Sequence, residues 1–123
     1  MGKFRFEDLI IWQESIKITS NLFDFADRAE QKKQFRFAEQ LRGAGLSISN
    51  NICEGSGSTS KKDFANYLNI SRRSLYECVN ILYTYKFRNL ITESEFNEFY
   101  NALHLLSIKI NNFRNSLQEV KVT

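Results

Sequence analysis

The residue types that most often carry out catalysis are few and scattered in this chain. Its one histidine, His104, stands between two leucines, which is typical of a packing or surface histidine rather than of a general base. Glu93, Glu95 and Glu98 cluster where a helix is predicted to begin, and the helix dipole alone accounts for carboxylates there. We therefore predict no catalytic residues and a protein that is not an enzyme.

The sequence also contains no pattern typical of a metal or phosphate site. Cys53 and Cys78, with one histidine in the whole chain, cannot assemble the ligand spacing of a structural metal. The run Gly55-Ser56-Gly57-Ser58 lacks the lysine spacing and the preceding strand of a P-loop, so a turn between helices accounts for it. We predict no metal and no cofactor.

The location expected for the chain is the cytoplasm, with reduced thiols. The first residues lack the apolar segment of a signal peptide, and no run approaches the roughly 20 apolar residues that span a bilayer. A membrane is therefore not among the expected partners.

Positive charge is concentrated in the middle of the chain. Residues 28–88 hold eleven basic and five acidic side chains, whereas the segments on either side carry a small acidic excess. Such a segment can hold a phosphate backbone by releasing counterions, although a solvated helix face explains it equally well. The candidate nucleic-acid-binding residues are Arg42, Lys61, Lys62, Arg72 and Arg73. Phe35, Phe37 and Tyr67 are available for stacking on unpaired bases.

One segment of poor helix formers, Gly43 to Asn51, lies where the apolar period requires a helix. Ser47, Asn51 and Glu54 follow at i, i+4 and i+7, so they form a polar stripe opposite the apolar one. We interpret this stripe as a structural polar cluster in which an arginine such as Arg73 holds Glu54. A ligand-binding or catalytic role is the alternative.

The elements that must position these residues are four helices. The chain has no proline, and apolar residues recur at helical spacing over about residues 8–30 and again until Gly55. Two capping signals, at Ser60 and Thr92, open two further helices. Each of these helices carries a heptad seam typical of a shallow packing angle. The seam residues are Phe64, Leu68, Ser71, Leu75, Cys78, Leu82 and Tyr85 in the third helix, and Phe96, Phe99, Leu103, Leu106, Ile110, Phe113 and Leu117 in the fourth.

These patterns predict an all-α fold in which residues 1–123 form one domain, an up-down-up-down antiparallel four-helix bundle. Apolar residues off the seams exceed what one bundle interior absorbs, and some of them are expected at a subunit interface. The off-seam residues are Tyr67, Ile70, Tyr76, Ile81, Tyr83, Leu105 and Ile108.

Several of these runs resemble a known family. Phe6 to Gln13, Gln40 to Arg42, Leu46 to Gly55 and Ser71 to Glu77 together are similar to the four-helix-bundle proteins encoded in intervening sequences of bacterial 23S ribosomal RNA genes. The resemblance covers nearly the whole chain and implies a bundle assembling into a homopentameric ring. It also implies similarity to the accessory variability protein of diversity-generating retroelements, which binds nucleic acid and reverse transcriptase through a basic surface.

Two functions remain after these exclusions. The first is a homo-oligomeric module that binds structured RNA or a ribonucleoprotein through the basic residues named above. The second is a protein-binding scaffold that uses its surplus aromatic surface and makes no contact with nucleic acid. High salt separates them, because phosphate contacts weaken with ionic strength and apolar docking does not.

Overall fold

A computed structural model describes residues 2–117 and places four long helices in them. The helices are α1 (Ile10–Gln31), α2 (Phe35–Ser56), α3 (Lys61–Phe87) and α4 (Glu93–Leu117). A short 3-10 helix, Arg5–Asp8, precedes α1 and was not predicted. Each helix packs against its neighbours in the chain, and α4 also packs against α1, so the four enclose one core. No strand occurs in the part of the chain that the structure describes.

The ends of α3 and α4 follow the capping signals. The Ser60 Oγ accepts a hydrogen bond from the Asp63 backbone N–H at 3.1 Å. At the start of α4 the capping box is reciprocal: the Thr92 N–H donates to Glu95 Oε1 at 2.9 Å, and the Glu95 N–H donates to Thr92 Oγ1 at 3.1 Å. Both arrangements satisfy amides that the first helical turn leaves without partners.

The predicted seams form the core. Every seam residue of α3 is buried, and in α4 the seam is buried at four positions and half-buried at Phe99, Phe113 and Leu117. In α1, Ile11, Leu22 and Phe25 are buried and face the core. Among the off-seam residues Ile81 is buried and belongs to the core.

Gly55 has a different role from the helix stop that its position suggested. It lies inside α2, buried, and the helix continues to Ser56 before Gly57 ends it with right-handed backbone angles. A Cβ added at Gly55 would lie 2.7 Å from the Tyr67 Cβ and 2.8 Å from Phe64 Cδ1. Only a hydrogen fits there, so Gly55 sets how closely α2 and α3 approach.

Candidate nucleic-acid interface

Four of the five candidate basic residues lie in the first half of α3. Lys61, Lys62 and Arg73 are exposed, and Arg72 is half-buried. Eleven residues make about three helical turns, so Lys61 shares a side of α3 with Arg72, and Lys62 shares one with Arg73, each about 16 Å further along. No carboxylate within residues 2–117 forms an ion pair with any of the four.

The two lysines occupy an unusual place in their helix. They are the first two residues of α3, directly after the Ser60 cap. The positive end of the helix dipole disfavours cations at this position by a few tenths of a kcal/mol to about 1 kcal/mol each. The helix dipole and the two lysine side chains therefore both contribute positive potential at the N-terminal end of α3.

Arg72 is held against an aromatic ring. Its guanidinium carbon lies 5.0 Å from the centroid of the Tyr76 ring, and its Nη2 donates to the Tyr76 Oη at 3.0 Å. The Arg72 Nε is buried and has no hydrogen-bond partner among the described residues. The stacked arrangement holds the guanidinium against the Tyr76 ring on the surface of α3.

Arg42 is separated from the other four and its charge is neutralised. Its guanidinium donates to Asp27 Oδ1 at 2.6 Å and to Glu30 Oε1 at 2.9 Å, both on α1. These hydrogen bonds, with Asp27 contributing most, raise the pKa of Arg42 above its usual value. The side chain therefore joins α1 to α2 and is not free to hold a phosphate.

Among the other basic residues, some form ion pairs and some lie at the opposite end of the bundle. Arg28 makes two hydrogen bonds to the Glu95 carboxylate, and Lys109 lies 2.6 Å from Glu14 Oε1. Three exposed residues, Lys32, Lys33 and Arg36, surround the connection from α1 to α2. The first half of α3 thus carries one cluster of basic side chains that no carboxylate among the described residues neutralises. The connection from α1 to α2 carries another.

The polar stripe of α2 binds α3 through hydroxyl groups. Ser47 Oγ lies 2.7 Å from Ser74 Oγ, and Asn51 Nδ2 donates to the Ser47 carbonyl at 2.7 Å and to its Oγ at 3.0 Å. One turn away, the buried Ser71 Oγ donates to the Ile48 carbonyl at 2.8 Å. These bonds fix the register of α3 against α2, and hence the position of the basic residues on α3.

Glu54 does not belong to this hydrogen-bonded group, and its expected partnership with Arg73 is wrong. Glu54 is exposed, and no ion pair joins it to Arg73. The reason is rotation about α3: Ser71 faces α2, and two residues further the helix has turned by about 200°, which directs Arg73 away from α2.

A groove between α3 and α4 was not predicted. It measures about 340 Å³ and is lined by aromatic, aliphatic and polar side chains, of which Tyr76, Val79 and Tyr83 come from α3 and Tyr100, His104 and Ser107 from α4. Tyr76 and Tyr83 were expected off the core seam and His104 as a packing or surface residue, and no sequence pattern joins these positions. Phe37, one of the residues considered for stacking on unpaired bases, packs towards Tyr85 inside the bundle, with the two ring centroids 6.5 Å apart.

The described residues offer no constellation for metal chemistry. No group of three or more His, Cys, Asp or Glu side chains in residues 2–117 is placed to hold a metal ion. Burial raises the pKa of the Cys78 thiol to about 12, so this thiol stays protonated in the core. None of the helices between residues 2 and 117 combines the length and apolar character that crossing a membrane requires.

Comparison with known proteins gives the family. A solved structure of a protein of unknown function from the S23 ribosomal protein family of Bacteroides thetaiotaomicron VPI-5482 superposes with a TM-score of 0.71. That protein is 24% identical, and the match covers 90% of this chain and 100% of the other. No curated protein matches the sequence significantly. The family model described as 23S rRNA-intervening sequence protein matches residues 7–112. The chain therefore belongs to the 23S rRNA-intervening sequence protein family.

Proposed function

We propose that this protein is a non-enzymatic, cytoplasmic, homo-oligomeric module that binds structured RNA, or a ribonucleoprotein, through the first half of α3. The observation that carries the proposal is a row of basic residues along one helix, α3, that no carboxylate in the described part of the chain neutralises. Lys61, Lys62, Arg72 and Arg73 have no carboxylate partner within residues 2–117, whereas Arg28, Arg42, Lys86 and Lys109 each have one. Membership of a family named for ribosomal RNA intervening sequences adds support.

The surface proposed for RNA is smaller than the one expected from sequence. Arg42 is excluded because two carboxylates of α1 already hold its guanidinium. What remains is a strip about 18 Å long from Lys61 to Arg73, with the helix dipole adding positive potential at one end. A strip of this kind contacts phosphates and carries no information about base sequence.

The assembly proposed is a bundle of up-down-up-down topology that forms a ring, with five copies as the resemblance implies. The antiparallel order of the first two helices is supported by their contacts: Thr19 Oγ1 donates to the Gly45 carbonyl, whereas Asp27, later in α1, contacts Arg42, earlier in α2. Exposed apolar side chains on the outer faces, including Leu105 and Ile108 on α4, are suited to contacts between copies. A ring repeats the α3 strip, so weak phosphate contacts add up to useful avidity.

The experiment that tests the proposal compares two variants with the same loss of charge. In the first, Lys61, Lys62 and Arg73 are all replaced by Gln; in the second, Lys32, Lys33 and Arg36 are. Binding of a labelled RNA hairpin is measured by fluorescence anisotropy at low salt. We expect the α3 variant to lose most of its affinity and the control variant to keep its own. Equal losses would show that only net charge matters, and no loss in either would refute RNA binding through α3.

The second candidate is a protein-docking scaffold, favoured by the exposed apolar side chains. Ile16, Leu46 and Ile70, on three different helices, each expose more than two-fifths of their surface. Docking on such residues resists salt, whereas phosphate contacts weaken steeply. A partner protein that stays bound at high salt, together with no affinity for RNA at low salt, would favour this candidate.

A further inference from the structure

The groove between α3 and α4 has the composition of a site for a flat aromatic ligand. Tyr76, Tyr83 and Tyr100 are exposed by 57%, 41% and 39%, and all three line it. Its volume of about 340 Å³ falls within the range of about 300 to 1,000 Å³ that small-molecule sites occupy. Exposed tyrosine rings in a concave apolar surface are the usual stacking platforms for unpaired bases.

Two of the three rings, those of Tyr83 and Tyr100, are held in place from below. The Tyr83 and Phe96 ring centroids lie 4.7 Å apart, and Phe96 is buried. The Tyr100 ring lies 5.7 Å from Phe96 and 6.4 Å from Tyr83, nearly perpendicular to the latter. A fixed platform loses little conformational freedom when a ligand stacks on it.

The charge beside the groove suits an anion attached to that ligand. Arg72 donates to the Tyr76 hydroxyl at the edge of the groove, and its guanidinium has no carboxylate partner in residues 2–117. None of the lining residues is acidic. Asn80 and His104 also line the groove and supply polar groups able to hydrogen-bond the edge of a base.

We infer that this groove binds an unpaired nucleobase of the RNA, with Tyr76 and Tyr100 stacking on the base and Arg72 contacting its phosphate. The inference rests on the proposed function and names the part of the RNA that is recognised. Structured RNA presents unpaired bases in its loops and bulges. The strand would then pass from the groove along the α3 strip, because Lys61 lies on the same side of α3 as Arg72.

The test uses two single-stranded RNAs of equal length, one with normal bases including 2-aminopurine and one with abasic positions. We expect the wild-type protein to bind the normal strand roughly tenfold more tightly than the abasic one, and to quench 2-aminopurine fluorescence. The Tyr76→Leu/Tyr100→Leu variant should bind the normal strand about as weakly as the abasic one. Phe87→Leu, an exposed aromatic at the end of α3 that does not line the groove, is the matched control and should behave as wild type.

Three results would overturn the inference. Equal, salt-sensitive binding of both strands by the wild type would leave the proposed function standing and remove the base site. No binding of either strand at low salt would refute both. A loss of molar mass in light scattering by the tyrosine variant, without any change in the preference for bases, would assign the groove to an interface between copies.

Discussion

Replacing Gly55 by Ala tests how closely α2 and α3 are packed. The added Cβ would lie 2.7 Å from the Tyr67 Cβ. Both atoms are fixed to helix backbones, so only a shift of one helix can relieve the clash. Overpacking of this kind costs up to about 3 kcal/mol, whereas alanine gains about 1 kcal/mol over glycine inside a helix. We therefore expect a net loss of about 2 kcal/mol in the free energy of unfolding.

Gly43 provides the matched control, since it lies in the same helix and a Cβ there would have no atom within 4 Å outside the neighbouring backbone of its own helix. Gly43→Ala should raise the free energy of unfolding by about 1 kcal/mol, so the two variants should differ by about 3 kcal/mol. Urea unfolding followed by circular dichroism, at one fixed protein concentration, measures both. In thermal unfolding, each kcal/mol corresponds to roughly 4 °C for a chain of this size. A Gly55→Ala protein as stable as wild type would refute the close approach.

Three further substitutions test individual side chains. Tyr85→Phe removes a buried hydroxyl that has no hydrogen-bond partner in residues 2–117, so the free energy of unfolding should stay constant or rise by up to about 1 kcal/mol in urea titration. Glu54→Gln should leave the melting temperature unchanged, because Glu54 is exposed and forms no ion pair within the described part of the chain. Hydrogen bonds from Arg28 and from the Thr92 backbone lower the pKa of Glu95 from 4.5 to about 2, so the stability this carboxylate contributes is present above pH 4.5 and is lost as pH falls towards 2. Glu95→Gln should remove that part of the acid dependence from a plot of melting temperature against pH; an unchanged plot would contradict the assigned pair.

The helices and their core could be predicted because the signals are local. Heptad spacing identifies the seams of α3 and α4, and hydroxyl residues before acidic ones identify their first turns. The number of helices and the all-α fold class follow from the same periodicity of apolar residues. Ile81 shows the limit of this reasoning, because a residue beside the seam is buried or exposed according to where the neighbouring helix lies.

The site could be predicted only in part, because pairing between helices depends on their relative rotation. Nothing in the sequence near Arg42 shows that Asp27 and Glu30 reach it from α1. The tyrosine groove combines side chains from residues 75–83 of α3 with side chains from residues 100–107 of α4, so no single period reveals it. Glycine spacing alone likewise does not distinguish Gly55, which has no room for a Cβ beside α3, from Gly43, where a Cβ would meet open space.

The measurement that tests the central claim most directly is the salt dependence of RNA binding. Each phosphate contact contributes about −0.7 to −0.9 to the slope of the logarithm of the binding constant against the logarithm of salt concentration. Replacing Lys61, Lys62 and Arg73 by Gln should therefore reduce the magnitude of the slope by about 2 to 3, whereas replacing Lys32, Lys33 and Arg36 should leave it unchanged. The same slope for wild type and both variants would contradict phosphate recognition by α3.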